Sequence, residues 1–206
     1  MSPPSEQGSF WSGDFGDEYI QRNTSENLLA SNIHFFSKAL NNVSPIPKNV
    51  LEVGANIGMN IKALKSIMPH ANFSGIEVNK KACELLLETG CSVIQGSIEE
   101  VKIEEQFDLV LSKGVLIHLS PSNLDLVYSK LYKWTSRYIL IAEYYNPTPI
   151  ELEYRGYKNK LFKRDFAGEI LEKYPELKLL DYGFAYHRSN FPQDDISWFL
   201  LEKRIL

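Results

Sequence analysis

Gly54 and Gly58 bracket Ala55-Asn56-Ile57, directly after the apolar run Val50–Val53 with Glu52 embedded in it. A glycine turn between a buried strand and a helix start lets bare backbone approach a ligand and points helix N–H groups at it. Glu77 closes the next apolar run, nineteen positions after Gly58, where a carboxylate can accept from two ribose hydroxyls. Gly96-Ser97-Ile98 offers a small residue, a donor and an apolar side chain, a set suited to an adenine ring lying edge-on. Ser112-Lys113-Gly114 ends a further apolar run. These are the residues of a nucleotide-like site. The turn departs from the dinucleotide fingerprint G-x-G-x-x-G, because Asn56 stands at the middle glycine. A side chain there crowds a pyrophosphate but is tolerated beside an amino-acid moiety, whose polar groups an amide can meet. The pattern therefore favours S-adenosylmethionine over NAD, with a Rossmann oxidoreductase as the competing reading.

Those residues need a scaffold that delivers several strand ends to one place. The chain alternates strand and helix patterns: Val50–Val53, a helix over Ile57–Met68, Phe73–Val78, a helix over Lys80–Glu88, Ser92–Gln95, a helix or turn over Ser97–Val101, and Phe107–Ser112. Ser120-Pro121 begins a helix carrying Leu124, Val127 and Leu131, and Tyr138–Glu143 follows as a strand. Such alternation predicts a parallel α/β sheet with helices on both faces. Upstream, Thr24 or Ser25 caps a helix running to about Asn42, after an arm rich in glycine and aromatics (Phe10, Trp11, Phe15, Tyr19) that is too apolar for a plain disordered tail. Downstream, Asn146-Pro147-Thr148-Pro149 breaks the rhythm. A polar, basic stretch over 153–165 and a helix near Phe166–Tyr174 come next. Leu177–Tyr186 and Ser197–Lys203 form two strands joined without a helix, hence an antiparallel pair at the sheet end.

The bulk properties narrow the function classes. The chain has 206 residues and a formal net charge of −4, which disfavours a general nucleic-acid binder. Cys83 and Cys91 lack a CxxC spacing and are expected to be reduced thiols, as in a cytoplasmic protein. No apolar run is long enough to span a bilayer and no leader-like segment is visible, so no membrane partner is expected. Tyr182, Tyr186 and His187 with Asp194-Asp195 make a second polar cluster, but without the spacing of a metal site, and no metal is expected. The oligomeric state stays open.

Glu52-x-Gly54-x-Asn56-x-Gly58, Glu77, and Phe107-Asp108-Leu109-Val110 together resemble the class I S-adenosylmethionine-dependent methyltransferases over roughly residues 48–145. Gly13–Tyr19 with Arg22-Asn23, Ala142–Pro147 and Lys163–Glu169 resemble, more narrowly, bacterial methylases associated with pseudaminic acid biosynthesis. The resemblance implies a Rossmann-like, mostly parallel seven-stranded sheet with an antiparallel C-terminal strand, in a single methyltransferase domain over 1–206. Residues 1–45 would cap the cofactor site, and 146–175 would be a substrate-binding insertion. It further implies that Gly54 and Asn56 line the methionine part of S-adenosylmethionine, Glu77 holds the ribose, and Ser97 and Ile98 flank the adenine. Glu52, Ala55, Val78 and Gly96 belong to the same cofactor set, and Lys113 would lie between cofactor and substrate. Tyr19 and Arg22 would reach the cofactor's carboxylate from the arm, unless Arg22 is an ordinary surface charge. S-adenosylhomocysteine would be the product.

On the acceptor side, His118 follows the strand ending in Lys113 and is the candidate base, its ordinary pKa being about 6.5. It could equally bond a loop backbone, or only position a carboxylate acceptor. Arg155, Lys163 and Arg164 in the basic stretch, with Tyr144 and Tyr145, could bind a small anionic acceptor such as a sugar acid or its nucleotide conjugate; a solvated helix face is the alternative. Another hydroxyl or carboxylate metabolite, or a binding module without catalysis, would share the same cofactor residues.

Overall fold

The computed structural model describes residues 5–20 and 25–204. The arm forms two short helices, α1 (Glu6–Ser12) and α2 (Asp14–Ile20), before α3 (Glu26–Ala39). Ser25 caps α3 by accepting the Leu28 N–H at 3.2 Å. Then come β1 (Asn49–Val53), α4 (Met59–Ile67), β2 (Asn72–Glu77), α5 (Lys80–Leu87), β3 (Ser92–Gln95) and β4 (Phe107–Lys113). α6 (Leu124–Trp134), β5 (Thr135–Glu143), β6 (Ile150–Tyr154), β7 (Tyr157–Lys163), α7 (Phe166–Lys173), β8 (Leu177–Ala185) and β9 (Ile196–Lys203) complete the chain.

The main sheet has seven strands in the order β3-β2-β1-β4-β5-β9-β8. β1 through β5 pair in parallel, and β9 runs antiparallel to both β5 and β8. The chain winds outward from β1 in both directions, so the β1–β4 boundary is the switch point at which such sheets open a crevice. Alternation along the strands builds a core on each face. Leu109, Leu111, Tyr138 and Leu140 pack with Phe35, Phe36, Ile61 and Leu64 on one side. Val110, Ile139 and Ile141 pack with Leu124, Leu131, Phe166 and Ile170 on the other. Among the described residues no helix is long and apolar enough to cross a membrane.

The basic stretch is not a helix face. It is the hairpin of β6 and β7, with Tyr154 paired to Tyr157 across the two-residue turn Arg155-Gly156. Both turn residues have positive φ (52° and 86°), the geometry that matches the twist of a tight hairpin. The arm docks on this hairpin. Phe10 and Phe15 stack at 4.2 Å, and each meets Tyr157 edge-on, at 5.1 and 5.8 Å. Glu6 pairs with Lys160, and Gln7 Nε2 donates to the Asn159 carbonyl at 3.4 Å. On the other side Asp17 pairs with Lys81 at 2.5 Å and accepts from Asn79 Nδ2 at 2.8 Å.

Candidate active site

The strand ends at the switch point, α1 and α2, the hairpin and the β8–β9 loop enclose a cavity of about 560 Å³, a volume typical of small-molecule sites. Its floor is the turn after β1. Gly54 takes φ 65°, and a Cβ there would stand 2.5 Å from Val115 Cγ2. Asn56 takes φ 48°, a left-handed conformation that asparagine tolerates, so it replaces the middle glycine at little steric cost. The Ala55 N–H donates to the Ile76 carbonyl at 2.9 Å and ties the turn to β2.

Three buried carboxylates organise the site. Glu77 accepts the Asn56 N–H at 2.7 Å and the Asn79 N–H at 2.8 Å, one on each oxygen. Burial raises its carboxyl, opposed by those backbone bonds. Glu52, 1% exposed, accepts from Asn60 Nδ2 at 2.6 Å through Oε1. Burial pushes it up to about 8, against the pull of the Asn60 amide and the Lys113 charge. Its Oε2 and the Asn56 Oδ1 are buried without a hydrogen-bond partner among the described residues. Glu143, at the end of β5, accepts from Ser112 Oγ at 2.7 Å, from the Val115 and Leu116 N–H groups at 3.1 Å, and from the Ile117 N–H at 3.4 Å. It thereby shapes the loop that carries His118.

His118 Nδ1 lies 2.6 Å from the Lys160 carbonyl, which can only accept, so Nδ1 carries the proton and Nε2 keeps its lone pair. Burial lowers the imidazole to about 4, with the Lys160 carbonyl pulling the other way. The ring contacts Trp11 and Tyr154, at 4.7 and 4.8 Å, and those two rings lie 6.4 Å from each other.

The structure brings most of the sequence-selected residues together. Tyr19, Gly54, Ala55, Asn56, Glu77, Val78, Gly96, Ser97, Ile98, Lys113, His118, Tyr144 and Arg155 all line the cavity. Glu52 lies beneath it, and Arg22 falls outside the described residues. Tyr145, Lys163 and Arg164 do not line it. Tyr145 is exposed against Phe199 at 5.9 Å, because it follows Tyr144 and successive residues of an extended segment point to opposite sides. Lys163 stacks over the Tyr144 ring at 5.0 Å. Arg164 is held by Glu169 at 2.7 Å, in a separate cleft beside Tyr128 and Lys173. Of the second polar cluster, Asp194 lines the cavity, while Asp195 is turned to His187 at 2.8 Å.

Several lining residues escaped sequence reasoning. Trp11, Asn32, Tyr154 and Gln193 come from four distant segments, and no local pattern links them. Asn79 had a readable signal, since it follows Glu77 closely and precedes a helix: its Oδ1 caps α5 by accepting the Ala82 N–H at 3.0 Å.

Residues 50–137 match a family described as a methyltransferase domain. No curated protein matches the chain in sequence. Among solved structures, a Burkholderia thailandensis 1,6-didemethyltoxoflavin-N1-methyltransferase with bound 1,6-didemethyltoxoflavin and S-adenosylhomocysteine is 14% identical, with TM-score 0.70 over 100% of this chain and 92% of that one. The plantazolicin methyltransferase BpumL in complex with SAH is 14% identical, with TM-score 0.67 over 97% and 94%. The magnesium protoporphyrin IX methyltransferase of Synechocystis, with bound SAM, is 9% identical, with TM-score 0.67 over 99% and 100%. At such identities the likeness is one of fold, and it extends along nearly the whole of each chain. Residues 50–137 thus carry a methyltransferase domain, and the cavity lies within the Rossmann-like fold that these methyltransferases share.

Proposed function

We propose that the chain transfers the methyl group of S-adenosylmethionine to a small anionic acceptor, a nonulosonic (pseudaminic-type) sugar acid or its nucleotide conjugate, and releases S-adenosylhomocysteine. One observation carries the donor half: β1 and the glycine turn after it hold two buried oxygens, Glu52 Oε2 and Asn56 Oδ1, without a hydrogen-bond partner among the described residues. A buried acceptor left unpaired costs about 1–3 kcal/mol, so a donor-bearing ligand belongs there. The ammonium of a methionine moiety has three N–H donors. A pyrophosphate has none to offer these oxygens, which tells against NAD.

In this reading Glu77 accepts from the ribose hydroxyls while its backbone partners Asn56 and Asn79 hold the carboxylate in place. Gly96, Ser97 and Ile98 flank the adenine. When bound, S-adenosylmethionine supplies an already activated methyl group, so the protein contributes alignment and exclusion of water. α1, α2 and the hairpin close the cavity for that purpose. His118, neutral near pH 7, takes the proton of an acceptor hydroxyl at Nε2 while Nδ1 stays on the Lys160 carbonyl. A carboxylate acceptor needs no base, and His118 then only positions it. Arg155 and Tyr144 face the acceptor, and the three segments resembling pseudaminic acid-associated methylases support the sugar-acid assignment. The catalytic unit spans 1–206, and its free cysteines Cys83 and Cys91 suit a reducing cytoplasm.

Calorimetry with S-adenosylhomocysteine and with NADH tests the donor half; binding of NADH alone would end it. Transfer of labelled methyl to nonulosonic acids and their nucleotide conjugates tests the acceptor. Arg155→Ala should then raise KM with kcat little changed, and an unchanged KM returns Arg155 to the surface.

A further inference from the structure

Lys113 is the other cationic lysine or arginine side chain among the described cavity-lining residues, besides Arg155, and it is unlike Arg155 in its setting. It ends β4, half-buried, and reaches toward α3, where its Nζ lies 5.7 Å from the Phe35 ring. It makes no hydrogen bond and no ion pair with any described residue. An ammonium drawn out of bulk water without a partner costs several kcal/mol. Three carboxylates act on it from a distance: Glu52 on β1, Asp194 in the β8–β9 loop and Glu143 on β5. They favour its charged form against burial, which lowers it, but none is close enough to neutralise it.

The wall beside Lys113 is built of amides. Asn32, one helical turn before Phe35, and Gln193 are 1% and 6% exposed, and both line the cavity. Gln193 Nε2 donates to Asn32 Oδ1 at 3.0 Å, which leaves the Asn32 N–H donors for another partner. Sheet order places this wall away from the donor half. Glu77 ends β2 and Gly54 follows β1, whereas Lys113 ends β4, Tyr144 follows β5 and Gln193 precedes β9. Neighbouring strands lie about 4.8 Å apart, so the amides stand several strand spacings from the ribose carboxylate.

The geometry points to a carboxylate-binding subsite formed by Lys113, Asn32 and Gln193, which holds the acceptor's anionic group on the β5–β9 side of the cavity. It rests on the methyltransferase reading for the identity of that acceptor, but not for the anion site itself. It moves the main anion contact from the exposed hairpin turn to the buried amide wall of the cavity, and it assigns Lys113 to the acceptor's anionic group rather than to the cofactor's carboxylate.

Protein labelled with ¹³C,¹⁵N-lysine reads the site directly, with sodium acetate as the probe and Lys113→Met to identify the resonance. Acetate should shift the Lys113 side-chain signals and raise the pH at which they titrate, both in free enzyme and in enzyme saturated with S-adenosylhomocysteine. Asn32→Asp, which places a carboxylate beside the ammonium, should abolish the acetate response without changing S-adenosylhomocysteine affinity. In the labelled-methyl assay Lys113→Met should raise KM for a carboxylate acceptor by about tenfold, the loss of one charge-assisted hydrogen bond. The proposal is overturned if S-adenosylhomocysteine alone shifts Lys113 and acetate adds nothing, since Lys113 then holds the cofactor's carboxylate. It is overturned equally if acetate leaves Lys113 unmoved in both forms. If S-adenosylhomocysteine does not bind but acetate still shifts Lys113, the methyltransferase reading fails and the anion site stands.

Discussion

Replacing Glu52 by glutamine should stabilise the protein, and by an amount that grows with pH. The carboxyl ionises near 4.5 in an unfolded chain and is pushed up to about 8 in the folded one, chiefly by burial. A raised folded pKa means that folding favours the protonated form. The stabilisation is therefore complete below 4.5 and is lost as pH rises through about 8. At about 1.36 kcal/mol per pH unit, the whole window is worth about 5 kcal/mol, and protonation on folding near pH 7 costs about 3.4 kcal/mol. Glutamine imitates the protonated carboxyl, with one oxygen to accept from Asn60 Nδ2 and a donor group in place of the orphaned Oε2. It removes the protonation cost. A domain of this size gains roughly 2–4 °C in Tm per kcal/mol, so the variant should melt roughly 7–14 °C above wild type near pH 7 and close to wild type near pH 4.5. Thermal scans of both proteins across this range, followed by circular dichroism, measure the difference. A Tm difference that does not change with pH would refute the reasoning, because burial would then not be raising this carboxyl. The same substitution should weaken S-adenosylmethionine binding, since an ammonium loses its ionisable partner. Stability and function then move in opposite directions at one residue.

Glu77→Ala should weaken S-adenosylhomocysteine binding by about 1–3 kcal/mol in calorimetry, and unchanged affinity contradicts its ribose role. His118→Ala should lower turnover with S-adenosylhomocysteine affinity nearly intact. The wild-type rate should lose activity on the acid side only as pH falls through about 4, since the base must be neutral; an acid limb near the ordinary histidine value argues against the buried, carbonyl-bound imidazole. Glu143→Ala strips the partner from Ser112 Oγ and three backbone N–H groups, and should destabilise the fold by about 3–5 kcal/mol in urea. A loss below 1 kcal/mol, of the order of a surface substitution, would show that the loop before His118 holds its shape without that carboxylate.

The alternating pattern from Val50 to Glu143 was legible because each strand and helix carries its own period and its own stop signal. Ser92–Gln95 keeps the expected bounds, and the late strand pair is antiparallel at the sheet end. The stretch over 153–165 was opaque for the opposite reason. Its strands show no apolar alternation, since β6 is exposed along its first four residues and β7 buries Lys160, Leu161 and Phe162 in a row, and Lys160 finds its partner in Glu6, more than a hundred residues away, so the local sequence resembles a solvated surface. The hairpin's local mark is the pair Arg155-Gly156, both at positive φ, within that charged surrounding.

The sequence by itself determined the glycine-turn side of the cavity. Gly54, Asn56 and Glu77 are placed there by a turn and a strand end, features encoded within a few residues and readable from sterics and spacing alone. Only the tertiary structure decided the opposite side. It separated Tyr144 from Tyr145, took Arg164 away to Glu169, brought Trp11 against His118, and set Asn32 and Gln193 beside Lys113. Those neighbours come from an arm, a helix, a hairpin and a loop that meet only when packing closes the crevice at the switch point, and no local pattern records where such distant segments meet.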